Sequence, residues 1–321
     1  MTPHDEQAIL NWWAGSKSQP VVLLSRSADG MDARMASFCD RLKTLAPGVT
    51  IRRPSDELFR APALIVGRHK NIAFQAVPTE RELPPFLAAL GQGTDGQAPE
   101  PALPVSAAAI QLPAELTLFI AMQCPHCPQA AMQLIALAGA NPPVRLTIID
   151  GTLFPGLARD QGIRSVPTLI LEDRVRWSGP FKMEEIVDQC VRRDPTQLSA
   201  TCLRQIVESG DAPRLAVMMA KHGQIFPALT ELLCHDRWSV RLGAMVTMEY
   251  LCTDAPELAA AFIPLLLERF DGLAETVQVD VVQVLAQTRH ATAREWLESL
   301  VKQDARPAVK EAAAEELGLW P

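Results

Sequence analysis

Two cysteines separated by two residues constrain the fold and the chemistry of this chain more than any other feature. Cys124 and Cys127 lie in segment 122–128, Met-Gln-Cys-Pro-His-Cys-Pro, between an apolar run typical of a strand and a pattern typical of a helix. A second apolar strand is predicted directly after Ser-Val-Pro-Thr at 165–168. A dithiol at a strand-to-helix junction predicts disulfide exchange with another thiol or disulfide.

This chemistry requires one ionised sulfur, because a thiolate attacks a disulfide whereas a thiol does not. The N-terminus of a helix presents unpaired N–H groups and the positive end of the helix dipole, and both stabilise a thiolate. We therefore predict that Cys124 is the nucleophile and that Cys127, one turn later, is the resolving thiol. Pro125 is predicted at the first helical position, and His126 is predicted to tune the sulfur electrostatically.

A structural zinc site is the alternative use of the same cysteine pair. Zinc needs four ligands, so a second pair would have to come from elsewhere in the chain. The other five cysteines are scattered singly, at Cys39, Cys190, Cys202, Cys234 and Cys252. We therefore predict no metal and no cofactor apart from a redox-active disulfide between Cys124 and Cys127, and treat the remaining cysteines as buried thiols.

The residues around the dithiol predict an alternating α/β unit. Strands are predicted at 116–121, 144–149, 168–171 and 175–177, and helices at 124–139, 154–161 and 183–191. This order and the two motifs resemble the glutaredoxin-like thioredoxins. The resemblance implies that the Val166–Pro167 bond is cis and packs against the dithiol, and that Val166, Pro167 and Thr168 bind the substrate. The strand before the motif lacks the buried acid usual in that family, which leaves the proton acceptor of Cys127 unassigned.

The first ninety residues repeat this pattern without the dithiol. Strands are predicted at 21–25, 49–53 and 63–66, and helices at 31–45 and 79–90. The sequence at 60–66 parallels that at 164–170, but Ala-Asp-Gly-Met at 28–31 stands where the dithiol would be. An inactive fold followed by an active one resembles the N-terminal domain of the alkyl hydroperoxide reductase flavoprotein subunit, and more distantly the paired-fold protein disulfide oxidoreductases.

In that flavoprotein family the paired fold relays electrons from a flavin module to a peroxiredoxin. Residues 195–321 contain no Gly-x-Gly-x-x-Gly fingerprint and no strand pattern. The resemblance therefore implies a separate electron donor, such as a flavoprotein reductase, and a protein disulfide or dithiol partner, with a peroxiredoxin as the candidate.

The last third of the chain is predicted to be helical and repetitive. Val240, Val277 and Val309 recur within similar motifs at intervals of about 30 to 40 residues, which is the period of helix-pair repeats. Helices are predicted at 197–208, 213–221, 225–234, 240–251, 257–270, 276–288, 292–302 and 307–317. The segment resembles HEAT repeats. The acid and the base of each repeat, as in Asp236 and Asp304 with their following arginines, are predicted to fasten neighbouring repeats rather than to catalyse.

The predicted fold class is therefore α/β followed by all-α. Residues 1–97 are predicted as a degenerate thioredoxin-like fold, 98–109 as a linker overlapping the Gly- and Pro-rich stretch at 91–104, 110–194 as the redox fold, and 195–321 as an α-solenoid of HEAT-like repeats. The net charge of −7 argues against nucleic acid as the main partner. No apolar run reaches the roughly eighteen residues of a membrane span, and the mostly solitary cysteines favour a reducing, cytoplasmic location.

Three functions remain open on this basis, one of which is the structural zinc site described above. In the first, the chain is a disulfide oxidoreductase whose HEAT-like arm docks a protein partner. In the second, the helical arm is the main functional part and the thioredoxin pair is a redox-sensitive adaptor without turnover. Loss of both cysteines distinguishes them, because it abolishes the first function and spares partner capture in the second.

Overall fold

The computed structural model describes residues 1–16, 19–27, 32–55, 59–92, 102–303 and 306–320. The predictions made at 28–31, at 98–101 of the linker and at Asp304 lie outside these residues. The chain forms two compact units, Met1–Arg192 and Arg193–Pro321. The first is a mixed α/β unit with a thioredoxin-like sheet, and the second is helical.

One continuous sheet runs through the first unit. Its strands are β1 (Val21–Ser25), β2 (Thr50–Arg52), β3 (Ala63–Val66), β4 (Ile72–Gln75), β5 (Ala114–Ile120), β6 (Val144–Asp150), β7 (Thr168–Leu171) and β8 (Val175–Ser178). Their order across the sheet is β2-β1-β3-β4-β6-β5-β7-β8. The helices are α1 (Pro3–Ala14), α2 (Asp32–Leu45), α3 (Leu83–Leu90), α4 (Cys127–Ala140), α5 (Pro155–Asp160) and α6 (Met183–Arg192). Short 3-10 helices occur at Glu80–Glu82 and at Val105–Ala109, the latter within the predicted linker.

Strand β4 joins the two predicted thioredoxin-like folds into one sheet. It pairs antiparallel with β3 and parallel with β6, with Ile72 opposite Leu146. Beside this seam, Asn71 Nδ2 donates hydrogen bonds to the carbonyl oxygens of Ala138 (2.8 Å) and Val144 (2.7 Å). The sequence pattern does not predict β4. All four of its residues are buried, so it lacks the alternation of apolar and polar residues that marks a half-exposed strand.

The larger core covers one face of the sheet. On β5, Leu116, Leu118 and Ile120 point into this core, which also contains buried residues of α2, α3, α4 and α6. Phe119 lies between them in sequence and points to the opposite face, where it packs with Ile149 beside α5. This alternation is the period of two expected of a strand, and it places the residues after β5 between two helical layers.

The second unit contains nine α-helices within the described residues. They are α7 (Ala200–Glu208), α8 (Ala212–His222), α9 (Leu229–Leu233), α10 (Trp238–Asp254), α11 (Pro256–Ala260), α12 (Ile263–Phe270), α13 (Glu275–Gln287), α14 (Ala291–Lys302) and α15 (Pro307–Gly318). The single helix predicted at 257–270 was wrong, since α11 ends before α12 begins. Pro264 lies in the first turn of α12 and has no N–H to donate to the preceding turn. No helix in the described part of the chain is long and apolar enough to cross a membrane.

The motif residues of the helical unit have structural contacts. Val240, Val277 and Val309 are all buried. Arg241 is 3% exposed and bonds Asp280 of α13 at 2.7 Å. Its guanidinium also donates to the carbonyl oxygens of His235 (2.6 Å) and Asp236 (2.8 Å). Arg241 therefore links α10 both to the turn that precedes it and to α13.

Replacing Arg241 by alanine should destabilise the helical unit by about 3–5 kcal/mol, because it leaves Asp280 and two carbonyl groups without their cationic partner. The matched control is Arg294→Ala, which breaks an exposed pair with Glu298 and should cost less than about 1 kcal/mol. Urea unfolding followed by circular dichroism measures both changes. Equal effects of the two variants would show that Arg241 does not fasten the helices.

Candidate active site

Cys124 and Cys127 form a disulfide at the end of β5, with their Cα atoms 5.5 Å apart. Cys124 closes a tight turn by donating its backbone N–H to the Ala121 carbonyl oxygen at 2.9 Å. Cys127 is the first residue of α4 and is fully buried, whereas Cys124 retains 8% exposure. The sulfur that a partner can approach is therefore that of Cys124, with the sulfur of Cys127 behind it.

The redox helix begins at Cys127, three residues later than predicted. Pro125 is therefore not the first helical residue, and Pro128 occupies the first turn instead. The reason is local, since the Cys127 N–H donates to Cys124 Sγ at 3.1 Å and the cysteine sulfur takes the place of a capping oxygen. The predicted electrostatic contact is nevertheless present, because a helix N-terminal amide points at the Cys124 sulfur. His126 stands at the N-cap, is exposed, and makes no capping hydrogen bond through its side chain.

The loop before β7 lies against the disulfide. The Val166–Pro167 peptide bond is cis, as the resemblance implied, and Cys124 Sγ lies 3.6 Å from the Val166 carbonyl oxygen. Thr168 is buried, and its hydroxyl donates to the Ser165 carbonyl oxygen at 2.7 Å. The structure thus brings Val166 and Pro167 next to the predicted nucleophile, whereas the Thr168 side chain is occupied within the loop.

The free cysteines differ from the dithiol in their surroundings. Burial raises the pKa of Cys39 and of Cys190 to about 12. Burial, aided by the charge of Glu249, raises the pKa of Cys252 to about 11, and burial also raises that of Cys234. Thiols with such pKa values carry little thiolate near neutral pH. These four cysteines are therefore poor nucleophiles, in contrast to a sulfur that accepts a helix amide.

Glu82 is a buried acid beside the redox helix that the sequence pattern does not indicate. It ends the 3-10 helix Glu80–Glu82, which packs against α4. The residue is 1% exposed, and neither carboxylate oxygen has a hydrogen-bond partner among the described residues. A buried carboxyl group without partners is costly when ionised, so its position against the redox helix calls for a chemical explanation.

The protonation of Glu82 is sensitive near neutral pH. Burial, and secondarily the charge of Asp150, raise the pKa of Glu82 to about 7. Asp150 ends β6 opposite Ile120, the last residue of the strand that leads to the dithiol. Its Oδ1 accepts hydrogen bonds from the backbone N–H and the hydroxyl of Thr152, at 2.8 and 2.6 Å. A group with a pKa near 7 can exchange protons with a cysteine at physiological pH.

The sequence carries no local signal that Glu82 lies near the redox helix. Its own fold contains no dithiol, so nothing in the local pattern relates the residue to Cys127. The relation arises from the pairing of β4 with β6, which brings the end of the first fold against the helix of the second.

The zinc alternative needs further ligands beside the two sulfurs. Among the residues that the structure describes, no group of three or more His, Cys, Asp or Glu side chains is arranged to hold a metal ion. His126 lies between the two cysteines in sequence, and it does not complete such a group.

A dithiol at a strand-to-helix junction, beside a proline loop on a mixed sheet, defines the class of thioredoxin-fold redox proteins. Residues 115–192 match the model of the thioredoxin domain. Over 80 residues the chain is 30% identical to a thioredoxin of Methanocaldococcus jannaschii, covering 25% of this chain and 94% of that protein. Through this segment the chain belongs to the thioredoxin family.

The chain is also similar to longer proteins, over about half of its own length. The chain is 28% identical over 180 residues to the F component of alkyl hydroperoxide reductase from Pseudomonas putida, covering 53% of this chain and 34% of that protein. It is 29% identical over 175 residues to an NADH dehydrogenase of Ferdinandcohnia aciditolerans, covering 52% of this chain and 33% of that protein. The chain thus spans about a third of the length of these relatives.

A solved structure shares the fold of the first unit. It is the N-terminal domain of alkyl hydroperoxide reductase AhpF from Enterococcus faecalis, with a TM-score of 0.50 and 21% identity, covering 59% of this chain and 99% of that one. The resemblance to the N-terminal domain of the alkyl hydroperoxide reductase flavoprotein is therefore confirmed at the level of the fold.

Proposed function

We propose that this protein is a thiol–disulfide oxidoreductase that exchanges disulfides with a protein partner through Cys124 and Cys127. The observation that carries the proposal is the pairing of the two sulfurs at the start of α4, with the Cys127 amide directed at the more exposed sulfur. Membership of residues 115–192 in the thioredoxin family agrees with it.

The exchange proceeds in two steps. In the reduced protein the Cys124 thiolate attacks a disulfide of the partner, whose S–S bond breaks and releases a thiolate as the mixed disulfide forms. The Cys127 thiolate then attacks the Cys124 sulfur and releases the partner reduced by two electrons. The Cys124–Cys127 disulfide is the product. A separate donor must supply two electrons before the next cycle.

Glu82 is the proposed proton acceptor for Cys127 in the second step. The Cys127 thiol must lose its proton before it attacks, and its sulfur is fully buried. Helices α3 and α4 offer no competing proton acceptor, because neither helix contains an acidic or basic residue. Glu82 packs against α4 and has a pKa of about 7, so its ionised form can take the proton at neutral pH.

The proposed partner is a peroxiredoxin, and the proposed donor is a separate flavoprotein reductase. The support is the similarity to the F component of alkyl hydroperoxide reductase, which the chain covers for only about a third of its length. The proposed binding surface is the loop at Val166 and Pro167, because it lies against the Cys124 sulfur. No cofactor beyond the redox-active disulfide is proposed.

The helical unit is proposed to be a HEAT-like arm that docks a protein partner. Support comes from α10, which exposes Trp238, Leu242 and Tyr250 although its opposite face is buried in the core. Apolar side chains grouped in this way are typical of contact surfaces. The Arg241–Asp280 pair supports the repeat architecture. We also propose the domain boundaries 1–97, 98–109, 110–194 and 195–321, and a cytoplasmic location.

The proposal is tested by the turnover of insulin disulfides with dithiothreitol as reductant. The wild-type protein should accelerate insulin reduction well above the rate with dithiothreitol alone. The metal content of the same preparation should be far below one zinc ion per chain. No acceleration together with stoichiometric zinc would instead support a structural metal site.

A further inference from the structure

A groove runs beside the disulfide and extends from the Pro167 loop along α4. It encloses about 120 Å³. One wall is formed by α4 and its N-cap, and the other by the Pro167 loop and the segment after β8. The lining residues are His126, Gln129, Ala130, Gln133, Pro167, Pro180 and Phe181. His126 stands two residues after Cys124, and Pro167 follows Val166, whose carbonyl oxygen lies 3.6 Å from Cys124 Sγ. The groove therefore lies where a segment attached to a partner cysteine would extend.

The polar wall of the groove is a regular row. His126, Gln129 and Gln133 are separated by three and four residues, so they lie on one face of α4, about one helical turn apart. Helix α4 contains no acidic or basic residue along its whole length. The wall therefore offers hydrogen bonds without a fixed charge, apart from the imidazole at its end.

The two glutamines have unused hydrogen-bonding capacity. Each primary amide carries two N–H donors and one carbonyl acceptor. Neither amide bonds to another residue in the part of the chain that the structure describes. Groups that donate and accept at once match a peptide backbone or an amide side chain, whereas a carboxylate or an ammonium satisfies only half of them.

The opposite wall favours uncharged residues for a different reason. Pro180 and Phe181 are apolar and line the same small space. A charged side chain that lies against Pro180 and Phe181 gives up part of its water, and the lining contains no Asp, Glu, Lys or Arg to compensate for this loss. Both walls therefore disfavour charge in the segment that occupies the groove.

We propose that Gln129 and Gln133, facing Phe181, determine the specificity of the protein for partners whose disulfide cysteine is followed by an uncharged, extended segment. The inference rests on the proposed function, because it concerns the partner of the same dithiol. It assigns a role to side chains that do not touch the reacting sulfurs. The rate at which small disulfides are reduced should not depend on Gln129 or Gln133, because such substrates do not reach the groove.

The test uses three peptide disulfides that differ only at one position near the cysteine, which holds glutamine, lysine or glutamate. The wild-type protein should reduce the glutamine peptide with a kcat/KM about tenfold above the other two. Gln133→Glu should raise kcat/KM for the lysine peptide and lower it for the glutamate peptide, and Gln133→Lys should do the reverse. Gln7→Glu, on the exposed surface of α1, is the matched control and should leave the ranking unchanged.

Reduction of hydroxyethyl disulfide separates the two proposals. It should be the same in the wild type and in all three variants, because this substrate does not fill the groove. Active variants that rank the three peptides as the wild type does would overturn the specificity proposal and leave the oxidoreductase intact. A wild-type protein that reduces neither the peptides nor hydroxyethyl disulfide would overturn both.

Discussion

Cys124→Ser should reduce the turnover of protein disulfides to the uncatalysed background. A serine hydroxyl is not ionised near neutral pH and cannot replace the thiolate that attacks the partner. Cys127 cannot substitute, since its sulfur is fully buried behind that of Cys124. Insulin reduction measures the loss directly.

Cys127→Ser should fail differently, because it leaves the first step intact. The Cys124 thiolate still opens the partner disulfide, but no second thiol resolves the product. A covalent adduct should accumulate, disappear on treatment with dithiothreitol, and be visible by non-reducing electrophoresis. The trapping experiment uses an oxidised peroxiredoxin as the partner. An unrelated protein that contains a disulfide serves as the comparison.

The control for both variants is Cys252→Ser, which removes a half-buried thiol whose pKa is raised to about 11. It should keep full turnover. If Cys124→Ser keeps turnover while Cys252→Ser loses it, the nucleophile is misassigned.

Glu82→Gln should change how stability depends on pH. A folded-state pKa of about 7, against an ordinary value of 4.5, means that the native fold favours the protonated form. The stabilisation of the folded state by protonated Glu82 is fully present below pH 4.5 and is lost as the pH rises through 7. The shift corresponds to roughly 3 kcal/mol. Glutamine has no such titration, so the variant should gain about that much relative to the wild type between pH 4.5 and 8.

The same substitution should slow the resolution of the mixed disulfide near pH 7. The pH at which resolution reaches half of its maximal rate should rise. Urea unfolding across the pH range and stopped-flow release of a trapped peptide measure the two effects. Glu80→Gln, an exposed neighbour on the same 3-10 helix, is the control and should show neither. Parallel stability curves for the wild type and Glu82→Gln would contradict the assignment of Glu82 as a buried titrating group.

The strands that frame the dithiol could be predicted from sequence because they are locally encoded. The four residues of β7 were predicted without error, and β5 within two residues at its start, because long apolar runs bounded by turn residues are strong signals. The cis bond at Pro167 was obtained from the family resemblance and not from the local pattern.

Elements defined by distant contacts could not be predicted in the same way. Strand β4 is buried on both faces and has no alternation, so only its pairing with β6 identifies it as a strand. Glu82 belongs to the fold without the dithiol. It lies beside α4 because β4 pairs with β6 and brings the two folds together. The delayed start of α4 depended on a bond between an amide and a sulfur, for which residue type gives no rule.

The contacts of Arg241, the base that follows Val240 in the motif at 236–244, agree with the predicted fastening of neighbouring helices. Its guanidinium bridges α10 and α13 through Asp280, as expected of a contact that fastens neighbouring helices. Asp304, the acid that corresponds to Asp236 in the later motif, lies outside the described part of the chain, so the prediction there stays a prediction.

The central claim is that the Cys124 sulfur is reactive and accessible in the folded, reduced protein. Alkylation with iodoacetamide at pH 7, read by peptide mass spectrometry at each cysteine, measures this directly. The account predicts that Cys124 is labelled rapidly in the native protein, while Cys39, Cys190, Cys234 and Cys252 are labelled only after denaturation. A Cys124 that stays unlabelled until the protein is unfolded would contradict the account.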